Sequence, residues 1–261
     1  MIHTTAVVDS TAELAPDVEV GALAYIGPHC ILHEKVKIGA KATVECYSEI
    51  GAGTCLSPNA HVGGAPQDIS YKDEATRLKI GENCVIREFS TIHRASVKDD
   101  WLTEVGDNCY VMASAHIAHD CKVGNNVTLA GYSALSGHVR VDEHVFISGL
   151  VGIHQFVRIG VGAMVSAVSR TGKDVLPYCI ALDDAIVSLN IVGMRRRGFS
   201  AQLRTEIKKA VHIFTNKSLL LTEVKEKLTE LEQYPEIIII RNFIENSKRG
   251  IIRNANWTSE E

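Results

Sequence analysis

Between Val8 and Arg170 an aliphatic residue returns at every sixth position, and no other feature of the chain constrains its fold as tightly. The series runs Val8, Leu14, Val20, Ile26, Leu32, Ile38, Val44, Ile50, Leu56 and Val62. It resumes at Ile80, Ile86 and Ile92, then again from Val105 through Val111, Ile117, Val123, Leu129, Leu135, Val141, Ile147, Ile153, Ile159 and Val165. A six-residue period of this kind is the signature of a parallel β-helix. Each hexad supplies one short strand and a corner, three hexads close a triangular coil, and stacked coils bury the aliphatic column along the axis. Gly often follows the aliphatic residue, as at Gly21, Gly27, Gly39, Gly51, Gly63, Gly81, Gly106, Gly124 and Gly160. The expectation is that these glycines supply unusual φ/ψ at the corners.

Length allows one large domain or two modest ones in 261 residues. With 46% apolar and 22% charged residues and a formal net charge of -4, neither disorder nor a nucleic-acid surface is indicated. No apolar run reaches the ~18 residues of a membrane helix, and no basic stretch leads into an apolar core at the N-terminus. Signal peptide and membrane insertion are therefore not expected, and the cytoplasm is the compartment indicated. The seven Cys show no CxxC pairing. Cys30, Cys84, Cys109 and Cys121 all take the fifth place of their hexads, where a small inward-pointing side chain is called for; disulfides are not expected in that compartment.

Two stretches break the hexads, roughly Gln67 to Lys79 and Lys98 to Glu104, the second adding seven residues to its coil. Both are expected as loops extruded from corners, and loops on a rigid scaffold are where function tends to sit. The second can equally be read as a surface insertion. After Leu176-Pro177-Tyr178 the period turns helical. A helix is expected from Ala185 to Arg197, stopped by Gly198. Others are expected from Ala201 to about Asn216 capped by Ser200, through Glu232 capped by Thr222, and from Pro235 to about Ser247. Leu203, Ile207, Val211 and Phe214 form one buried stripe, and the polar tail Asn254 to Glu261 is expected to fray. The expected organisation is a β-helix over residues 1–180 followed by a small α-helical domain over 181–261.

Coil geometry converts spacing into adjacency: residues eighteen apart lie roughly 4.8 Å apart on neighbouring coils. Gly137 is eighteen after His119 and Gln155 eighteen after Gly137; Asp120 and His138 form the next column. The insertion places Arg94 under His119, with His93 one residue to the side. One face thus gathers His93, Arg94, His119, Asp120, Gly137, His138 and Gln155, with His116 and His154 close by. A His next to a glycine N–H suits acyl transfer, which needs a base for the attacking hydroxyl and a donor for the oxyanion. Histidine titrates near neutrality, as that base must.

The segments Ala115-His116-Ile117-Ala118-His119-Asp120-Cys121, Ser136-Gly137-His138-Val139 and Ile153-His154-Gln155-Phe156 resemble the UDP-N-acetylglucosamine O-acyltransferases of lipid A biosynthesis. Thr91-Ile92-His93-Arg94, Pro66-Gln67-Asp68 and Arg196-Arg197-Gly198-Phe199-Ser200 are similar to the same family, and the resemblance spans nearly the whole chain. It implies a cytoplasmic homotrimer of left-handed parallel β-helices, a hand that runs against the usual right-handed crossover. It implies transfer of an (R)-3-hydroxyacyl chain from acyl carrier protein to the glucosamine 3-hydroxyl of UDP-N-acetylglucosamine, in clefts between subunits, with no metal or cofactor. By the same resemblance His119 is the general base, Asp120 its partner and Gly137 the oxyanion donor. Asp68, His116, His138 and Gln155 match positions that hold the sugar nucleotide or line the site, and Gln67, His93, Arg94 and His154 complete the expected substrate-binding set. Asn190, Arg196 and Arg197 match positions associated with the nucleotide and its phosphates, for which Arg is well shaped. Ala167 resembles the position that limits acyl length; Gly131, Gly149 and Ala167 form an eighteen-residue column of small residues suited to a methylene chain.

Two positions depart from the family pattern. Ser70 stands where the best-known members have Lys, and Val192 where they have Glu. Acceptor choice therefore stays open between UDP-N-acetylglucosamine and a 3-amino analogue that would give an amide. Two further classes remain. One is a zinc-dependent hydratase of carbonic-anhydrase type, although those hexapeptide proteins space two ligands as His-x4-His and this chain offers His116-x2-His119. The other is a non-catalytic scaffold.

Overall fold

The computed structural model describes residues 1–255 of the chain. Short strands, mostly of two residues, recur along it and stack, in parallel except for one C-terminal pairing, into three sheets of nine, eight and eleven strands, the faces of a triangular prism. The first face includes Thr91–His93, His116–Ile117, Ala134–Leu135 and Gly152–Ile153; the second includes Leu102–Val105, Lys122–Val123, Arg140–Val141 and Arg158–Ile159. The third includes Thr128–Leu129, Phe146–Ile147 and Met164–Val165. The fold is a left-handed parallel β-helix of hexapeptide repeats with helices at its C-terminal end. The aliphatic column is the core: from Val20 onward its members are buried, while Val8 and Leu14 at the open end are only partly so. Each enclosed Val, Leu or Ile contributes roughly 1.5–3 kcal/mol of transfer free energy, which is what lets two-residue strands persist.

The glycines after the aliphatic residue play a different part from the one expected. Of the nine, only Gly63 has a positive φ. The left-handed corner falls two residues later, on Asn108, Ser114, Asp120, Asn126, Tyr132 and His138 among others. The glycines are there because the next coil leaves no room: an added Cβ would stand 2.7 Å from Ala40 N at Gly21, 2.5 Å from Pro58 N at Gly39 and 2.4 Å from Gly81 C at Gly51. The fifth-place cysteines are buried as expected. Their thiols donate to carbonyls of neighbouring turns, Cys30 to Glu45 O at 2.9 Å, Cys109 to Gly124 O at 3.1 Å and Cys121 to Ser136 O at 3.2 Å.

The C-terminal part departs most from the expected helices in its first segment. Ala185–Leu189 is a strand paired antiparallel with Cys179–Leu182, extending the third face. Ile186 and Val187 are β-branched and suit that edge. Helix α1 opens only at Ile191, running to Arg196, because Asn190 caps it by accepting from Gly193 N. Helix α2 is Ala201–Thr215 with Ser200 Oγ capping Leu203 N at 3.1 Å; Ile207, Val211 and Phe214 are buried and Leu203 partly so. Helix α3 is Leu221–Thr229; its N-cap is Leu220 and not Thr222, which lies inside the helix, because Glu223 reaches back to accept from Leu220 N–H. Helix α4 is Pro235–Glu245 with Pro at its first position. Asn254–Ala255 returns to pair with Ala185–Leu189; the rest of the expected frayed tail lies outside the described residues. Among the described residues no helix is long and apolar enough to cross a membrane.

Candidate active site

One edge of the prism, where the first face turns into the second, carries most of the expected residues. His119 and Asp120 sit there between His116–Ile117 and Lys122–Val123, Gly137 and His138 one coil on, and His154 and Gln155 on the coil after that. Both long loops leave the same edge, and the strands that follow them pair with each other, Arg77 with Leu102 and Ile80 with Val105. The insertion gives the step of 25 expected from spacing, Thr91 pairing with His116 and Ile92 with Ile117.

Asp120 takes the left-handed corner, φ 61°, which Asp tolerates better than most residues. Its carboxylate is buried and accepts from His119 Nδ1 at 2.7 Å, from Ser96 Oγ at 2.7 Å and from Ser96 N–H at 3.0 Å. Burial alone would raise this carboxyl, but the hydrogen bonds from His119 and Ser96 and the nearby His138 hold it below the ordinary carboxylate value. An ionised carboxylate only accepts, so Nδ1 of His119 carries the proton and Nε2 is left as the basic nitrogen. The ring lies against Gly137, where a Cβ would come within 2.7 Å of Cε1 and 2.9 Å of Nε2. Glycine is thus needed for the imidazole to occupy its place. The Gly137 N–H makes no hydrogen bond among the described residues.

His138 stands edge-on to His119, with ring centroids 5.3 Å apart, and stacks on Phe156 at 4.5 Å. Its Nε2 is 3.6 Å from Asp120 Oδ2. His119, Asp120 and His138 each bring a ligand-type atom within 4.8 Å of the others. Both Asp120 oxygens are already engaged, by Ser96 and His119, whereas His138 joins the cluster through ring contacts and makes no hydrogen bond to Asp120. His116 Nδ1 pairs with Thr91 Oγ1 at 2.7 Å, and its ring meets that of His93 edge-on at 4.8 Å. Burial lowers the titration of both, that of His93 to about 4.

Other expected residues divide. Arg94 shares the corner position of His119, yet its buried guanidinium does not join the cluster. It donates to Gly63 O at 2.9 Å and Tyr71 Oη at 3.0 Å and faces Glu45 and Asp73, bracing the root of the first loop. Asp68 accepts from Lys98 Nζ at 2.5 Å and from Ser70 N and Oγ, so the two loops are clasped together; those bonds hold its carboxyl far below the ordinary value. Gln67 and Gln155 are exposed, as is His154, whose Nδ1 lies 3.3 Å from Gln155 O. Asn190, Arg196 and Arg197 line a separate cleft of about 570 Å³ over the third face, with His144, Phe146, Met164 and Val192. Asn190 also donates to Gly162 O at 2.9 Å. Arg197 lies over the Phe199 ring at 4.9 Å, its buried Nη1 without a hydrogen-bond partner among the described residues. Ala167 is exposed at the edge between third and first faces. Spacing did not point to Ser96, Thr103, Lys98 or Phe156; the first three lie in or beside the insertion, outside the hexad register.

The chain is similar to known proteins over nearly its whole length. Residues 174–252 match the family model described as Udp N-acetylglucosamine O-acyltransferase, domain 2, and residues 103–137 match that of bacterial transferase hexapeptide repeats. An acyl-[acyl-carrier-protein]--UDP-N-acetylglucosamine O-acyltransferase of Thermodesulfovibrio yellowstonii is 45% identical, with 97% of this chain and 99% of the relative covered. Its namesake in Herminiimonas arsenicoxydans is 40% identical with the same coverage. The crystal structure of a UDP-N-acetylglucosamine acyltransferase from Bacteroides fragilis superposes with a TM-score of 0.92 at 36% identity, covering 97% of this chain and all of that one. A UDP-N-acetylglucosamine acyltransferase from Campylobacter jejuni gives 0.91 at 37% identity, covering 97% and 99%.

Proposed function

Because the chain belongs to the UDP-N-acetylglucosamine O-acyltransferase family, we propose that it moves an acyl chain from acyl carrier protein to UDP-N-acetylglucosamine. The donor is an (R)-3-hydroxyacyl thioester, the acceptor group the glucosamine 3-hydroxyl, and the step the first of lipid A biosynthesis. The observation that carries this reading is the His119–Asp120 pair lying against the side-chain-free Gly137. His119 Nε2 takes the proton of the 3-hydroxyl as its oxygen adds to the thioester carbonyl. The Gly137 N–H meets the oxyanion of the tetrahedral intermediate, and buried Asp120 stabilises the imidazolium. When the C–S bond breaks, the imidazolium returns its proton to the departing thiolate. The products are an ester and the free carrier thiol, with no proton or electron left over.

Two further parts of the reading concern assembly and place. The cleft of Asn190, Arg196 and Arg197 lies over the third face, and the His119 cluster lies on the edge opposite that face. One chain cannot close both around a single sugar nucleotide, whereas adjacent copies can, which supports a homotrimer with its sites between subunits. Acyl carrier protein and the sugar nucleotide are both water-soluble, and the cytoplasm is the compartment assigned.

The two departures leave O-transfer in place. Where Ser70 replaces a Lys of the family pattern, Lys98 of the other loop brings its ammonium to Asp68, and the relatives named above are O-acyltransferases. Those relatives favour neither a zinc hydratase nor a scaffold. The test is an acyl-transfer assay with UDP-N-acetylglucosamine and its 3-amino analogue side by side, using hydroxyacyl carrier proteins of graded length. Ester formation on UDP-N-acetylglucosamine is expected; product from the amino analogue alone would overturn the reading.

A further inference from the structure

We propose that the inserted loop after Thr91–His93 is a clamp on Asp120, and that Ser96 is a positioning residue for the His119–Asp120 pair. An uninterrupted corner on this edge takes four residues, as between Ile117 and Lys122, whereas eight separate His93 from Leu102. The extra length brings two buried groups onto Asp120 from opposite ends of the loop. Ser96 grips both carboxylate oxygens, its N–H on Oδ1 at 3.0 Å and its hydroxyl on Oδ2 at 2.7 Å. Thr103 Oγ1 accepts the Asp120 N–H at 2.8 Å. Ser96 and Thr103 are 2% and 0% exposed, so these bonds do not compete with bulk water.

The direction of the Ser96 hydroxyl is itself fixed. Lys98 N–H donates into Ser96 Oγ at 3.1 Å. A hydroxyl has one proton to give, and Asp120 Oδ2 is the acceptor it meets. Lys98 is in turn tied by its ammonium to Asp68 on the other loop, so the clamp is anchored outside its own coil. Held by two donors from one residue, the carboxylate cannot turn about its Cβ–Cγ bond. Oδ2 therefore stays on His119 Nδ1, and Nε2 stays the basic nitrogen. Substrate is not touched by Ser96; its effect passes through Asp120 to His119.

The experiment compares Ser96→Ala and Ser96→Thr with wild type, measuring kcat, KM for both substrates, and the His119 tautomer by 15N NMR of histidine-labelled protein. For Ser96→Ala, loss of a charge-assisted hydrogen bond should lower kcat about tenfold or more, with either KM changed less than about twofold. Its His119 should exchange between tautomers where wild type shows one. Ser96→Thr keeps the hydroxyl and should restore both rate and single tautomer. Unchanged kcat in a folded Ser96→Ala protein, no rescue by Thr, or an unaltered His119 tautomer would each overturn the proposal. If Ser96→Ala does not fold, Thr103→Val, which loosens the other side of the clamp at constant shape, carries the same expectations. The proposal rests on His119 as the base, but the two fail separately: activity of a His119→Ala enzyme removes the base, whereas the tautomer measurement tests the hold of Ser96 on the His119–Asp120 pair whether or not His119 is the base.

Discussion

The imidazole of His119 occupies the space that a side chain on Gly137 would fill, the added Cβ falling 2.7 Å from Cε1. A contact under 3.0 Å forces something to move, and the ring is tied at Nδ1 to Asp120. Gly137→Ala should therefore push His119 out of its hydrogen bond while leaving the coil intact. Transfer should fall at least about tenfold, since a misplaced catalytic group costs rate steeply, with an unchanged far-UV spectrum. Wild-type kcat in Gly137→Ala would show that the ring has room to spare.

Arg196 and Arg197 separate in the structure, and their variants should separate too. Arg196 is exposed at the rim of the third-face cleft, whereas Arg197 packs its guanidinium over Phe199. Arg196→Ala should raise KM for the sugar nucleotide about tenfold or more at near-constant kcat, the cost of one charge-assisted contact to a diphosphate. Arg197→Ala should raise KM and lower Tm together. An unchanged KM in both would move the nucleotide elsewhere.

Ala167 closes the column of Gly131 and Gly149 on an exposed edge. If that column is the acyl groove, Ala167→Met should shift preference to donors several carbons shorter, and Ala167→Gly should modestly favour longer ones. Each buried CH₂ is worth about 0.8 kcal/mol, so two carbons should change selectivity roughly tenfold. A competition among carrier-bound acyl chains decides it; identical donor rankings in all three enzymes would place the ruler elsewhere.

Stability should fall in mild acid through His93. Burial first, then neighbouring His and Arg charges, push its titration from 6.5 to about 4. Between those values the unfolded chain binds a proton that the folded chain refuses, so stability is whole above pH 6.5, declines as pH falls and levels off below about 4. The contribution is on the order of 3 kcal/mol per chain. His93→Asn, which cannot titrate, should show a flatter dependence of the urea midpoint on pH across that window. Equal slopes would mean another group governs the acid limb.

The hexad period made the strands, core column and stacking of His119, Gly137 and Gln155 legible, because one residue of spacing in a coil is one position in space. The period was silent wherever side-chain direction or loop path decides. Arg94 has the right position and the wrong direction: Gly63 O and Tyr71 satisfy its guanidinium away from His119. Ser96 and Thr103 lie where the register is broken, so nothing in their spacing linked them to Asp120. The segment Ala185–Leu189 contains helix-compatible apolar spacing, but its register is settled by pairing with Cys179–Leu182, a contact the period does not encode.

The central claim is that His119, held by Asp120 and seated against Gly137, removes the proton from the acceptor hydroxyl. The most direct test is the turnover of His119→Ala with a hydroxyacyl carrier protein and UDP-N-acetylglucosamine at saturation. A loss of about 10² to 10⁴ in kcat is expected from removal of a general base, with Tm and far-UV spectrum close to wild type. Retention of more than a tenth of wild-type turnover in the folded variant would contradict it.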